Sequence, residues 1–381
     1  MKLAFYIHIP YCSKRCGYCD FNTYTPSELK ITSGLNEISG AYIDLANQEI
    51  DLAKNKIGQE ITVGSIFFGG GTPSLMQPLD IGKVINKIKS DFHLADSAEI
   101  TLEANPDSVD KDKLSQFLDV GINRLSFGMQ SAVPHVLKTL DRTHNPENLP
   151  KVTGWAKELG FSEISVDLIY GTPGESMQDW QQSIDSALSL PISHISAYAL
   201  IVEPGTKLAA QIKRGEIEQI DDDLTAEKYL VADKSFSTAG FHWYELSNWA
   251  KNDSKSQHNL SYWNGENWWG IGPGAHSHIN GERFWNVKHP NSYKEKIQKN
   301  ELPIQDSEIL QASQIESERL MLSFRLTSGI ETKSLNNQQI QDLSTYVKTG
   351  HLNQSDWQNG RATLTLNGRL IADRIVREIL L

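Results

Sequence analysis

Six short apolar runs, each followed by glycines or polar residues, constrain the fold more than any other feature. They are Leu3–Ile9, Val63–Phe68, Glu99–Glu103, Ile122–Phe127, Ile164–Ile169 and Ile192–Ile201. Five of them run into Gly69-Gly70-Gly71-Thr72-Pro73, Asn105-Pro106, Gly128-Met129-Gln130, Tyr170-Gly171-Thr172-Pro173-Gly174 and Glu203-Pro204-Gly205. Between the runs, Ala41–Ala53, Ile81–Ile88, Leu114–Leu118, Val152–Leu159 and Trp180–Leu190 space apolar residues as helices do. Strand–helix alternation predicts an α/β fold with a parallel sheet. Six such units fit a partial (β/α)6 TIM-type barrel. A flat dinucleotide-binding sheet fits less well, because no G-x-G-x-x-G follows a strand. In parallel α/β folds the C-terminal strand ends carry the active site.

The texture changes after about residue 240. Residues 243–285 hold six of the nine tryptophans, together with His258, His276 and His278, and His242 lies just before them. From about Ser307 the chain is polar and helix-rich, with a short strand pair and a closing helix. This predicts a small α+β, winged-helix-like C-terminal domain. The expected units are 1–240 (barrel), 241–306 (aromatic and histidine-rich connecting segment) and 307–381.

Hydrophobic residues make up 39% of the 381, enough for a real core. The net charge of 36 − 47 = −11 argues against a protein that grips nucleic-acid phosphates. No apolar run approaches the roughly 18 residues of a membrane span. The N-terminal apolar stretch contains His8 and Pro10 and lacks a small-residue cleavage site, so it does not read as a signal peptide. The expectation is a cytoplasmic protein without an integral membrane segment.

All three cysteines, Cys12, Cys16 and Cys19, fall within eight residues just past the first strand. An odd number at short spacing is a poor disulfide framework. Two metal readings remain. Three thiolates and a fourth ligand such as His8 would hold zinc, although zinc sites favour paired Cys-x-x-Cys elements. Alternatively the thiolates hold three irons of a four-iron cluster, leaving one iron open to a small molecule. Other strand ends offer further polar groups. The triple glycine lets backbone approach a ligand, unless it is simply a tight turn. Glu103, Gln130 and Asp167 close strand-like runs, and Arg142 suits a carboxylate. Each of these is ordinary as a solvated loop residue taken alone.

Cys-x3-Cys-x2-Cys at residues 12–19 is the signature of the radical S-adenosylmethionine superfamily, and Gly69–Pro73 resembles its methionine-amine-binding strand end. Tyr6–Cys12, Gly121–Ser131, Asp167–Ser176 and His194–Leu208 resemble the coproporphyrinogen-oxidase-like group. The oxygen-independent oxidases carry a fourth cysteine two residues after the third, where this chain has Phe21. His258-Asn259-Leu260-Ser261-Tyr262-Trp263 matches the His-Asn-x-x-Tyr-Trp motif of the HemW-type haem chaperones, which the chain therefore resembles most.

The resemblance implies that Cys12, Cys16 and Cys19 hold a [4Fe–4S] cluster and that S-adenosylmethionine chelates the fourth iron. Tyr6, Tyr18, Gly70, Gly71, Thr72, Glu103, Gln130, Arg142, Asp167 and Ile201 would contact that cofactor. Glu103 would meet its amine, Arg142 its carboxylate, and Gln130 with Asp167 its ribose; His276 is a further neighbour. His258, Asn259, Tyr262 and Trp263 would be haem-associated, with His242, His276 and His278 as rival iron ligands. On residue chemistry alone, His258 sits in a polar loop, Asp253–Asn259, entering the aromatic cluster, and reads more readily as a hydrogen-bonded histidine in a packed aromatic core than as a haem residue. The implied activity is haem binding and transfer to an acceptor protein, with a reductant protein and a homodimer as further partners. The alternative is oxidative decarboxylation of coproporphyrinogen III by the oxygen-independent route, which Phe21 disfavours. Whether the protein is an enzyme stays open at this point.

Overall fold

The computed structural model describes residues 1–30, 35–58 and 60–380, with side chains of the first helix from Ser39 onward. Strands β1 (Lys2–Ile9), β2 (Thr62–Gly70), β3 (His93–Ala104), β4 (Arg124–Gln130), β5 (Glu163–Tyr170) and β6 (His194–Ala199) lie side by side in chain order, each parallel to the next. Helices Leu35–Ile57, Pro78–Asp91, Lys111–Asp119, Asn148–Leu159 and Met177–Leu188 connect them. Local chemistry sets their ends. Asp110 accepts from the Lys113 amide at 2.8 Å, and Ser176 with Asp179 forms a capping box. Gly160, at φ +94°, ends the fourth of these helices in the left-handed region.

On β4–β6, Leu125, Phe127, Val166, Leu168, Ile195 and Ala197 are fully buried in one apolar core with helix residues such as Phe117, Val152 and Trp180. The alternate positions Arg124, Ser126, Gly128, Ser165, Asp167, His194 and Ser196 face a single cavity, joined by Phe67 from β2 and Thr101 and Glu103 from β3. Side chains from five strands meet in one space only if the sheet curves. The α/β fold with its partial parallel barrel is therefore as expected.

Boundaries differ in instructive ways. The fourth strand begins at Arg124 rather than Ile122, because the Ile122 amide is spent on the Phe117 carbonyl at the preceding helix end. The sixth strand covers only His194–Ala199. The third strand is longer than its apolar run, extending back to His93 through polar residues.

The aromatic-rich stretch builds both edges of the same sheet. β7 (His242–Glu245) and β8 (Asn248–Ala250) extend it beyond β6. β9 (Trp268–Ile271) lies parallel to β1, followed by antiparallel β10 (His276–Ile279), β11 (Glu282–Asn286) and β12 (Ile304–Ile309). The segment around His258 is helical, Gln257–Trp263, and not the polar loop expected from its composition. Its N-terminus is capped by Glu99 on β3, whose carboxylate accepts from the Gln257 and His258 amides at 3.0 Å and from Ser256 Oγ at 3.1 Å.

A second apolar core, with Leu320, Phe324, Leu343 and Ile375 at its centre, organises the C-terminal helices around a short antiparallel ribbon, β13 (Ile330–Glu331) with β14 (Arg361–Ala362). Arg369 ties this module to the rest, pairing with Asp233 at 2.7 Å and covering the Trp243 ring at 4.3 Å. No helix among the described residues is long and apolar enough to cross a membrane.

Candidate cofactor and haem site

Pro10 ends β1, and the chain turns into the cysteine loop across the C-terminal strand ends. Backbone bonds fix the loop at both flanks. The Cys12 amide donates to Tyr24 O at 3.1 Å, and the Gly17 amide donates to Leu140 O at 3.1 Å. All three cysteines are free, half-buried and line a cavity of about 530 Å³. Thr72 Oγ1 lies 3.6 Å from Cys12 Sγ, and Arg142 Nη1 lies 3.7 Å from Cys16 Sγ. Burial raises the Cys12 thiol and pushes Cys19 up to about 11.

The glycine strand end wraps the loop closely. A Cβ on Gly71 would lie 2.5 Å from the Tyr11 carbonyl oxygen, and one on Gly70, at φ +107°, would lie 2.5 Å from the His8 ring. Only glycine allows that approach. Past it, Glu103 accepts from the Gly70 amide at 3.1 Å, and Asp167 accepts from Ser126 Oγ at 2.9 Å. Burial, then the Asp167 charge, raises Glu103 to about 8; burial also raises Asp167. Burial favours the protonated form of both acids, and a cationic ligand beside them, such as an ammonium and sulfonium carrier, would favour their ionised form and be held by it. Gln130 sits at φ +54°, a strained conformation for a side-chain-bearing residue, and its Oε1 is buried without a hydrogen-bond partner. Arg142 is held by Gly128 O at 3.1 Å and His144 Nδ1 at 3.1 Å. A triple-thiol loop, a glycine cradle, paired carboxylates and an orphan amide oxygen therefore fit a thiolate-held cluster with a polar chelator beside it.

The structure brings together in one cavity Cys12, Cys16, Cys19, Tyr18, Gly70, Gly71, Thr72, Glu103, Gln130, Arg142, Asp167 and Ile201. Tyr6 does not reach the cavity surface; its hydroxyl bonds His8 Nδ1 at 3.1 Å and its ring stacks on Phe67. Of the His258–Trp263 motif only Asn259 lines the cavity. His258 is buried within the wall, with Nδ1 on Ser65 Oγ at 2.8 Å and Nε2 on Tyr262 Oη at 2.9 Å. Burial lowers it to about 3, so it is neutral, and neither ring nitrogen is free for iron. Trp263 bonds Glu245 and lies under Arg325. His276 is exposed at a separate cleft, His278 packs on Trp268, and His242 is exposed on the outermost strand β7.

Sequence reasoning missed the polar floor of the cavity, made by Thr101, Arg124, His194, Ser196 and Tyr198. Arg124 pairs with Glu99 at 3.5 Å. The signal was present: in Arg124–Gln130 and His194–Ala199 polar residues fall at every second position of otherwise apolar strands.

A curved parallel sheet with three thiols at the end of its first strand defines a class, the radical S-adenosylmethionine proteins. Residues 6–187 match the Radical SAM superfamily model. The chain is 41% identical over 375 residues to the haem chaperone HemW of Mycobacterium tuberculosis, covering 98% of this chain and 94% of that one. It is 36% identical over 335 residues to HemW of Bacillus subtilis, covering 87% and 86%. Coproporphyrinogen III oxidase (HemN) from Escherichia coli shares the fold, with a TM-score of 0.82 at 20% identity over 98% of this chain and 89% of that one. The chain belongs to the HemW family of haem chaperones within the radical SAM superfamily.

Proposed function

We propose that the protein is a haem chaperone that binds haem and passes it to an acceptor protein, carrying a [4Fe–4S] cluster and S-adenosylmethionine. The observation that carries this is its end-to-end kinship with HemW chaperones. Phe21, in place of the oxidases' fourth cysteine, supports it. In this reading Cys12, Cys16 and Cys19 are the iron ligands. Gly70, Gly71 and Thr72 let backbone and hydroxyl approach the methionine end, Glu103 receives the amine, Arg142 the carboxylate, and Gln130 with Asp167 the ribose. Tyr18 and Ile201 close the mouth of the cavity, and Tyr6 supports it from behind. Held by Cys12, Cys16 and Cys19, a reduced cluster would supply the electron for cleaving a carbon–sulfur bond of S-adenosylmethionine.

His258 acts by position. It holds Tyr262 against Ser65 and fixes the helix that brings Asn259 to the cavity, while Trp263 anchors that helix to Glu245. We further read residues 1–240 as the cofactor barrel, 241–306 as the haem-associated segment and 307–381 as the winged-helix-like module. Delivery of cargo requires an acceptor protein, and reduction of the cluster requires a reductant partner. A cytoplasmic site of action suits three reduced thiols, and light scattering distinguishes a monomer from a homodimer. The deciding test supplies the anaerobically reconstituted protein with coproporphyrinogen III, S-adenosylmethionine and reductant, and separately titrates haem. Haem uptake without protoporphyrinogen formation is expected; sustained protoporphyrinogen formation refutes the chaperone function.

A further inference from the structure

Beside the cluster loop lies a second, open cleft of about 380 Å³, lined among others by Phe21, Tyr24, His276 and Lys288. It shares the wall Arg15, Asp20 and Phe21 with the cofactor cavity. We propose that haem docks in this cleft with His276 as an axial ligand and Phe21 against the macrocycle. The proposal deepens, and rests on, the haem-chaperone reading.

Histidine chemistry selects His276. A haem iron takes a neutral imidazole through a nitrogen not otherwise engaged. His8 has both ring nitrogens bonded, to Tyr6 and to Asn22 O, as His258 has to Ser65 and Tyr262. His194, with Nε2 on Tyr244 and Nδ1 unpaired, lies deep inside the barrel and does not line this cleft. The His276 imidazole makes no hydrogen bond among the described residues. It is exposed, and it stacks on Trp285 at 5.8 Å and 23°, which fixes its plane. Burial and the Lys288 and Arg283 charges lower its proton affinity, which keeps it neutral.

The rest of the cleft suits a flat apolar ring with acidic arms. Phe21 exposes 59% of its surface, uncommon for a phenylalanine beside a metal-binding loop. Lys288 makes no ion pair among the described residues and is available to a propionate. Arg15, on the same wall, is already shared with Glu28. The two walls are pre-set relative to each other. The Asn22 side-chain amide, next to Phe21, donates to Pro273 O at 2.9 Å and to Lys288 O at 2.8 Å, so it clamps the cluster loop to the turn that leads into His276. A Cβ on Gly274 would lie 2.6 Å from that amide nitrogen, so the turn is built around it. Cargo held here touches the same residues, Asp20 and Phe21, that wall the cofactor cavity. It also lies in an open cleft from which an acceptor can take it.

The test is a titration of ferric haem into the cluster-reconstituted full chain, read by the Soret band and by the spin state in electron paramagnetic resonance. His276→Ala is expected to weaken binding at least ~10-fold, about 1.4 kcal/mol, and to lose the imidazole-ligated signature, which added imidazole restores. Phe21→Ala is expected to weaken binding with the axial signature retained. Both residues are exposed, so neither change threatens folding. A His276→Ala protein that titrates like the parent with the same spectrum overturns this site and leaves the chaperone reading standing. A parent chain that takes up no haem overturns both.

Discussion

The sharpest test of how the His258 motif works is His258→Ala. The imidazole is 1% exposed and joins two hydroxyls, Ser65 and Tyr262, while stacking on Phe67 at 4.9 Å. Alanine strands both hydroxyls in the wall, at about 1–3 kcal/mol each, and leaves a hole beside the Phe67 ring. The expected loss is about 3–5 kcal/mol at pH 7.5, read as a lower urea midpoint for the cluster-reconstituted chain. The pH dependence carries a second signature. Folded His258 titrates near 3 because it is buried, whereas an unfolded histidine titrates near 6.5. Its contribution is therefore complete above pH 6.5 and erodes as the pH falls from there toward about 3, at about 1.4 kcal/mol per unit. The stability gap between parent and variant should narrow by that slope below pH 6.5, since every other histidine is common to both. Haem affinity, corrected for folded protein, should change little. An unchanged urea midpoint together with loss of the imidazole–iron signature would refute the reasoning and make His258 a ligand.

Three further changes probe the barrel. Glu103→Gln removes a carboxylate whose pKa of about 8 stands above its unfolded value of about 4.3, a penalty that grows as pH rises between them. The variant should be more stable at pH 7.5 by about 1–3 kcal/mol, discounted because the group faces the cavity, yet bind S-adenosylmethionine at least ~10-fold more weakly by calorimetry. Gly71→Ala drives a methyl into the Tyr11 carbonyl and should cost about 1–3 kcal/mol with reduced iron and sulfide retention; full iron content would argue against a tight cradle. Lys228→Met strands buried Glu175, its partner at 2.8 Å, and should cost about 3–5 kcal/mol, with much of it recovered in Lys228→Met/Glu175→Leu. No recovery in the double variant would mean the pair does more than neutralise itself.

The barrel was legible because its information is periodic. Strand runs, helix spacing and punctuation by glycine and proline are local, and they predicted six βα units in order. The cysteine loop was legible because three thiols in eight residues have few physical uses. What escaped was tertiary. Whether His258 faces a cavity or the wall depends on Ser65, which is 193 residues away, and on Glu99 capping a helix that composition alone presents as a polar loop. The edge strands escaped for a related reason: β9–β12 are short, and they become strands by pairing, β9 on β1 and each later one on the strand before it, rather than through their own pattern. Family resemblance implies that Tyr6 contacts the cofactor, whereas register on β1 sets its hydroxyl on His8, behind the cavity wall.

Long-range contacts also connect the cofactor cavity physically to the proposed haem cleft. His8 Nε2 donates to Asn22 O at 2.8 Å, and the His8 carbonyl accepts from Tyr42. Glu49, about two helical turns further along, accepts from Tyr293 at 2.6 Å, from Asn286 at 2.7 Å and from the Gly272 amide at 2.8 Å. Gly272 begins the turn that presents His276, and Asn22 clamps that turn to the cluster loop. The first strand, the first helix, the cluster loop and the turn are thus one hydrogen-bonded unit, satisfied at nearly every buried polar atom. A satisfied buried network of this kind rigidifies the elements it joins. A change in the cluster loop on cofactor binding would reach His276 through Asn22. Asn22→Ala, which cuts that link without touching a thiol or an imidazole, should therefore leave cluster content intact while making haem affinity insensitive to S-adenosylmethionine. If affinity in the parent is already the same with and without S-adenosylmethionine, the two sites are neighbours without coupling.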